Sequence, residues 1–115
     1  ELFKINIFNS DEVKRLLNNC DLVINLVGIL YETKKQKFNH IHSQFPYLLS
    51  NLCNEMGIKN LIHVSALGVK EGHSSHYIQS KLQGEKNIMY EEHTSLKQII
   101  KFRMEKLQKL EQWSI

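Results

Sequence analysis

The chain has 115 residues, of which 42% are hydrophobic and 23% charged, and its formal net charge is +3. These values are typical of a globular chain with room for one domain and a modest core. Lysine outnumbers arginine by thirteen to two and is scattered along the chain. Surfaces that bind nucleic acid concentrate basic residues, with arginine among them, so we expect no nucleic-acid partner.

Cysteine content and hydropathy predict a compartment. Cys20 and Cys53 lie far apart in apolar surroundings and form no C-x-x-C pair. Buried free thiols in a reducing compartment are the favoured interpretation, and a disulfide between them is the alternative. There is no apolar run long enough to span a bilayer and no signal-peptide pattern after Glu1. We therefore expect a cytoplasmic protein without a transmembrane segment.

The first third of the chain predicts a strand, a helix and a strand. Leu2–Phe8 alternates loosely between apolar and polar residues, as a strand does. Ser10 is the predicted N-cap of a short helix. The nearly continuous apolar run Asp21–Leu30 is typical of a parallel strand that is covered on both faces. A basic loop follows over residues 31–37.

The middle of the chain predicts a long helix and a third strand. Apolar residues recur at helical spacing from Phe38 to Met56. Pro46 fits best in the first turn of this helix, with Ser43 as its cap, and Gly57 closes it. Ile58–Ser65 reads as the third strand.

The rest of the chain predicts two helices. One begins at Ser74 or Ser75, and an amphipathic tail helix covers 93–115, where packing on the domain is favoured over binding a partner. Up to residue 92 the element order is β-α-β-α-β-α, and connections this long imply parallel strands with right-handed crossovers. We predict an α/β chain: a partial Rossmann-like three-layer domain with a short parallel sheet over 1–92, and a helical tail over 93–115.

Tyr77 and Lys81 are the main functional clue. They are four residues apart on a predicted helix, which places both side chains on one face. A lysine ammonium beside a phenol favours the phenolate, so we expect a tyrosine pKa below the ordinary value of about 10. Such a tyrosine can move a proton while a nicotinamide moves a hydride. The preceding strand ends in Ser65, which adds a hydroxyl to the pair.

The spacing by itself is weak evidence. A second pair at the same spacing, Tyr31 and Lys35, lies in the basic loop and follows no strand that ends in serine, so we interpret it as surface. For Tyr77 and Lys81 the alternative is a helix with one packed tyrosine and one solvated lysine.

Three motifs in order carry a family resemblance. They are Asp21–Gly28 (DLVINLVG), Ile58–Gly68 (IKNLIHVSALG) and Tyr77–Lys86 (YIQSKLQGEK). Over Leu2–Ile88 the chain resembles the extended or atypical short-chain dehydrogenase/reductase superfamily, often labelled NAD-dependent epimerase/dehydratase. Within it, the chain is most similar to the nucleotide-binding accessory subunit of respiratory complex I and its bacterial relatives.

The resemblance implies a Rossmann domain that binds NAD or NADP, an oxidoreductase-like function, and a dinucleotide as the ligand. It also implies a respiratory complex as a partner, with a peripheral location at the inner membrane. Tyr77 would be the proton donor, Lys81 would hold the ribose and lower the tyrosine pKa, and Ser65 would end the strand beneath the nicotinamide. The remaining cofactor residues implied by the resemblance are Asn6 and Ile7 near the adenine, and Asn25, Leu26, Val27 and Gly28 along the cofactor.

The sequence departs from the family pattern in three places. Ala66 stands where a catalytic serine or threonine is usual. The five glycines form no GxxGxxG turn, which in the family presents helix N–H groups to the pyrophosphate. No Arg-Pro-Ser run follows residue 92. We therefore expect an internal fragment that binds dinucleotide weakly and has little or no activity by itself. The alternative is a non-catalytic interaction or oligomerisation module that uses its sheet edges and tail.

The histidines predict no metal site. His40, His42, His73 and His76 have no cysteine or carboxylate at a spacing typical of metal ligands. His63 lies inside a predicted strand, where a hydrogen-bonded core histidine is the favoured interpretation over a catalytic base.

Overall fold

The computed structural model describes residues 1–66, 68–69, 75–89 and 96–102. Within them the sheet has three parallel strands in the order β1-β2-β3. The elements in chain order are α1 (Ser10–Leu17), β1 (Leu22–Asn25), a π-helical segment (Asn39–Gln44) that runs into α2 (Phe45–Glu55), β2 (Asn60–Ala66), α3 (His76–Met89) and β3 (Leu96–Phe102).

Strand register fixes which residues end together. Leu22 pairs with Asn60 and Asn25 with His63 across β1 and β2, and β2 pairs with β3 over its whole length, to Ala66 opposite Phe102. All pairings are parallel and connected through helices, so the predicted α/β architecture with a short parallel sheet is confirmed.

The predicted first strand is wrong. Residues 1–8 form no strand. Ile5, Ile7 and Phe8 instead pack, half buried, against the main core, and the Phe8 ring stacks on His40 with ring centroids 3.6 Å apart. Alternation of apolar residues makes a strand only where a neighbouring strand offers hydrogen bonds, and this segment lies against helices.

The helix that follows begins one residue earlier than predicted. Its N-cap is Asn9, not Ser10, and the Asn9 side chain accepts hydrogen bonds from the backbone N–H groups of Asp11 and Glu12 at 3.1 and 3.2 Å. Asparagine and serine are comparable caps, so sequence alone does not separate them.

The long helix is confirmed over Asn39–Glu55, but its first part is π-helical and Ser43 is not its cap. Pro46 lies in the first turn of α2, as expected. Gly57 has φ of +69°, the left-handed conformation that ends many helices.

A helix over the start of the tail is also wrong. Leu96–Phe102 is strand β3, paired in parallel with β2. The apolar residues of this segment have helical spacing, but all seven residues pair with β2, whose edge would otherwise be open. Residues 96–102 therefore join the sheet, and the remainder of the predicted tail helix lies outside the described residues.

The core has two parts. The larger cluster joins α1, α2, β2 and α3 around Leu61 and Ile88, both of which are fully buried. A smaller cluster contains Ala66, Val69, Tyr77 and Ile78. Neither Cys53, which is buried, nor Cys20, which is half buried, forms a disulfide. None of the helices in the described ranges is long and apolar enough to cross a membrane.

Candidate active site

A cavity of about 330 Å³ opens at the carboxyl ends of β1 and β2. One wall is the irregular segment after β1, the floor is the end of β2, and the opposite wall is α3. Ligands of open parallel sheets bind at this end of the strands. The lining residues are Leu26, Gly28, Ile29, Leu30, Tyr31, Thr33, Gln36, Val64, Ser65, Tyr77 and Lys81.

Five of the predicted site residues meet at this cavity: Leu26, Gly28, Ser65, Tyr77 and Lys81. They come from three separate parts of the chain, which the parallel register of β1 with β2 and the packing of α3 bring together. The roles that the family resemblance assigns to them stay predictions.

The other predicted residues do not line the cavity. Asn6 makes a local turn, in which its backbone N–H donates to Glu12 Oε2 at 2.7 Å and its Oδ1 accepts from the Phe8 N–H at 3.0 Å. Asn25 is 2% exposed and supports the strand end, since its Oδ1 accepts from the Val27 N–H at 3.1 Å. Ile7 and Val27 pack against the main core cluster.

Tyr77 and Lys81 are buried on the first two turns of α3, with 8% and 6% of their surfaces exposed. Lys81 Nζ reaches across to β2 and donates to the Val64 carbonyl oxygen at 3.5 Å, a long hydrogen bond. The Tyr77 ring meets the rings of Phe38 and His42 edge to face, with centroids 5.6 and 5.3 Å away. The interpretation of a solvated lysine therefore does not hold.

Burial decides the titration of both groups. It raises the pKa of Tyr77 above its ordinary value and lowers the pKa of Lys81, an effect that Glu85 opposes. The predicted lowering of the Tyr77 pKa by Lys81 is wrong in this state, because loss of solvent around the phenol outweighs the nearby amine. Tyr77 is therefore a protonated phenol near neutral pH, able to donate a proton or a hydrogen bond.

Ser65 brings a hydroxyl to the cavity without a partner. It is 1% exposed, and its Oγ has no hydrogen bond to any residue of the described ranges. Buried hydroxyls are normally bonded, so an unbonded one in a cavity wall points to a ligand or water as its partner. Ala66 packs instead in the smaller core cluster. The hydroxyl therefore faces the cavity from position 65, one residue before the usual position in the family.

Gly28 leaves a space that a side chain would occupy. A Cβ placed there would lie 3.5 Å from His42 Nε2 and 3.9 Å from Lys81 Nζ. Both distances are ordinary van der Waals contacts, so alanine fits at this position. An alanine Cβ would occupy space that a ligand close to the Gly28 backbone needs.

His63 is a hydrogen-bonded core histidine, as predicted. Its Nδ1 lies 3.0 Å from Asn25 Nδ2, directly across the strand pair. Burial, together with the charge of Lys81, lowers the pKa of His63 to about 4. The ring is therefore neutral, with Nδ1 as the acceptor.

Sequence reasoning did not place His42 beside the site. It is 2% exposed, and burial first, then Lys81 and His63, lower its pKa to about 3. Its position within the apolar run Phe38–Met56 indicated burial, but nothing in the sequence indicated its partners. Across residues 1–66, 68–69, 75–89 and 96–102, no group of three or more histidine, cysteine, aspartate or glutamate residues is arranged to hold a metal ion.

The second tyrosine–lysine pair behaves as a surface feature. Tyr31 is 65% exposed at the rim of the cavity, and Lys35 is exposed and does not line it.

Comparison with curated proteins finds relatives from several organisms. The chain is 30% identical over 80 residues to mouse (Mus musculus) NADH dehydrogenase [ubiquinone] 1 alpha subcomplex subunit 9, mitochondrial, which covers 70% of the chain and 21% of that protein. The protein of the same name from Dictyostelium discoideum is 30% identical over 83 residues, 72% of the chain and 23% of that protein. This chain is a relative of that complex I subunit. It spans about a fifth of the length of the curated relatives it matches. No family model matches the chain.

Solved structures of other proteins have the same fold as this chain. UDP-glucuronic acid 4-epimerase from Bacillus cereus, solved with NAD, superimposes with a TM-score of 0.70 at 21% identity, over 88% of the chain and 38% of the epimerase. A mutated uronate dehydrogenase gives a TM-score of 0.69 at 19% identity, over 84% and 41% of the two chains. The predicted relation to the complex I accessory subunit is confirmed, and the solved structures share the Rossmann-type fold of the chain.

Proposed function

We propose that this chain holds the nicotinamide end of an NAD(P)-binding site in a short-chain dehydrogenase-like protein. The observation that carries the proposal is the convergence of Gly28, Ser65, Tyr77 and Lys81 on one cavity at the carboxyl ends of parallel strands. Supporting it, the structural neighbours include an epimerase solved with NAD.

Each residue has a role that its surroundings suit. Tyr77, held protonated by burial, donates a proton to the oxygen of a carbonyl as bound dinucleotide supplies the hydride. Lys81 Nζ, weakly held by the Val64 carbonyl, donates to the hydroxyls of the nicotinamide ribose. Ser65 Oγ, unbonded among the described residues, binds the substrate oxygen or the nicotinamide amide.

The remaining predicted residues have supporting roles in this proposal. Gly28 and Leu26 contact the dinucleotide through backbone and apolar surface. Asn25 and Val27 hold the strand end in shape. Asn6 and Ile7 face the adenine only if a neighbouring segment extends the site toward them.

Binding by the isolated chain should be weak. The sequence has no GxxGxxG turn to bind the pyrophosphate through helix N–H groups. The cavity, at about 330 Å³, is at the lower end of the range for ligand pockets and suits one half of a dinucleotide. NAD and NADP differ at the adenosine ribose, so this end of the site serves either one.

The direct test is titration of the purified chain with NADH and NADPH, followed by the fluorescence of the cofactor. We expect weak binding, with dissociation constants on the order of a millimolar, which corresponds to about −4 kcal/mol. Lys81→Ala should abolish it, and Lys35→Ala should leave it unchanged. Saturation at micromolar dinucleotide would contradict the expected weakness, and equal effects of the two lysine variants would refute the site.

A second function is favoured by the open edge of the sheet. Leu22 and Ile24 lie on one face of β1 and are 47% and 51% exposed. An edge strand with an exposed apolar face readily pairs with another chain. Strand β1 holds no charged residue that would oppose such pairing. Association with itself or with a respiratory-complex partner is therefore the alternative proposal. The proposed location is the cytoplasm or the periphery of an inner membrane, and sedimentation equilibrium at several concentrations tests self-association.

A further inference from the structure

The cavity wall after β1 is tied to the helical layer through one imidazole. Residues 26–37 contain no helix or strand. Within them the Ile29 N–H donates to His42 Nε2 at 3.0 Å. Because Nε2 accepts this hydrogen bond, the proton of the neutral ring lies on Nδ1.

The other ring nitrogen continues the connection to α3. His42 Nδ1 lies 2.9 Å from Ser80 Oγ, and Ser80 Oγ donates to the Tyr77 carbonyl oxygen at 2.8 Å. The hydroxyl has one proton, which the Tyr77 carbonyl receives, so the imidazole Nδ1–H is the donor to Ser80 Oγ. The hydrogen bonds therefore run in one direction from the Ile29 amide to the turn of α3 that carries Tyr77 and Lys81.

Packing around the ring leaves it one orientation. Phe38 stacks on one face at 5.5 Å, with an angle of 12° between the ring planes, and Tyr77 meets it edge on at 5.3 Å. A protonated ring would point a second N–H at the Ile29 N–H and would lie near Lys81. These contacts hold His42 neutral and in the Nδ1–H tautomer.

We propose that His42 is a positioning residue of the dinucleotide site, which sets the separation of Gly28 from Tyr77 and Lys81 by tying the wall segment to α3. This inference rests on the proposed function only for the identity of the ligand. The backbone bond at Ile29 lies next to Gly28, and the bond at Ser80 lies next to Lys81, so loss of either bond widens the cavity at its reacting end.

Two variants separate the two bonds. His42→Gln keeps an oxygen near the position of Nε2, where it can accept from the Ile29 N–H. His42→Asn keeps a polar group near Nδ1 for Ser80 and is too short to reach Ile29. His40→Asn is the matched control, because His40 is two residues earlier and stacks on Phe8, away from the cavity. Ser80→Ala removes the other end of the connection without touching the ring.

The first measurements need no ligand. Nitrogen-15 shifts of the wild-type imidazole should show the Nδ1–H tautomer at pH 7. Hydrogen exchange at the Ile29 amide should quicken about five- to tenfold in His42→Asn, as expected for loss of one hydrogen bond, and should stay near the wild-type rate in His42→Gln and His40→Asn. An Nε2–H tautomer in the wild type overturns the proposal, even if the His42 variants do not fold.

NADH titration then tests the positioning itself. We expect His42→Asn and Ser80→Ala to weaken NADH binding severalfold and His42→Gln to restore much of it. Equal affinities for wild type and His42→Asn, at equal thermal stability, overturn the positioning role. If the wild type binds no NADH, the proposed function fails, and the inference is then decided by the tautomer and by exchange at Ile29.

Discussion

The two faces of β1 differ in burial. On one face, Asn25 is buried and bonded to His63 and to the backbone of Val27. On the other face, Leu22 and Ile24 are 47% and 51% exposed. A strand in a parallel sheet is normally covered on both faces. Strand β1 is therefore covered on one face and uncovered on the other.

Gly84→Ala should have the largest effect on stability, because it disturbs the packing of α3 on the π-helical segment behind the cavity. A Cβ at Gly84 would overlap the carbonyl oxygen of His42, where α3 crosses the π-helical segment. Without that contact, alanine in a helix would stabilise the protein by about 1 kcal/mol. We expect destabilisation of about 3 kcal/mol instead, measured by urea unfolding. A gain in stability would show that the two helices are farther apart.

Acidic pH should have the next largest effect on stability. Buried His42 and His63 have pKa values lowered to about 3 and about 4, against about 6.5 in the unfolded chain. The unfolded state therefore binds more protons below pH 6.5, and their contribution to stability is complete above that pH and is lost as the pH falls toward 4. Each histidine should contribute a slope approaching 1.4 kcal/mol per pH unit.

The slope is measured by urea unfolding at pH 7, 6 and 5. His63→Asn should reduce it by about one proton, whereas His76→Gln, at an exposed position, should not. A stability that is flat between pH 7 and 5 would mean that water reaches both rings.

Gly28→Ala should abolish binding and leave stability nearly unchanged. The added methyl group makes only ordinary contacts with the protein, so the free energy of unfolding should change by no more than about 0.5 kcal/mol. The same group fills space that we assign to the ligand, so NADH binding should be lost. Unchanged binding in a folded variant would place the ligand elsewhere.

Ile24→Lys should have the smallest effect on stability and tests the uncovered face. Ile24 is 51% exposed, so the free energy of unfolding should stay within about 0.5 kcal/mol of the wild type. A charge at an edge strand opposes pairing with another chain. If the wild type associates, sedimentation should show this variant as a monomer; association that persists would move the interface away from β1.

Sequence predicted the parts of the fold that local pattern determines. The helix over Asn39–Glu55, strand β2 and helix α3 follow from apolar periodicity and from caps such as Gly57. The two wrong elements depended on pairing. Leu2–Phe8 has no strand beside it, whereas Leu96–Phe102 lies along β2. Whether a segment with mixed pattern becomes a strand is decided by its neighbours.

Sequence indicated the proximity of the candidate site residues and not their electrostatics. The spacing of Tyr77 and Lys81 after Ser65 indicated a shared location, and all three residues line one cavity. Their pKa directions follow from the depth of burial, which spacing does not contain. His42 and Ser80 are 38 residues apart in sequence, and only the close approach of α3 to the π-helical segment joins them.

The contact of Gly84 with His42 also has a consequence for how these positions vary among relatives. Pro46 has no N–H to offer the carbonyl four residues earlier, which belongs to His42, and Gly84 brings α3 against that same carbonyl. Positions 46 and 84 should therefore change together. A relative with a larger residue at the position of Gly84 must hold the two helices farther apart, and it must then secure the wall of its cavity by some group other than an imidazole at position 42.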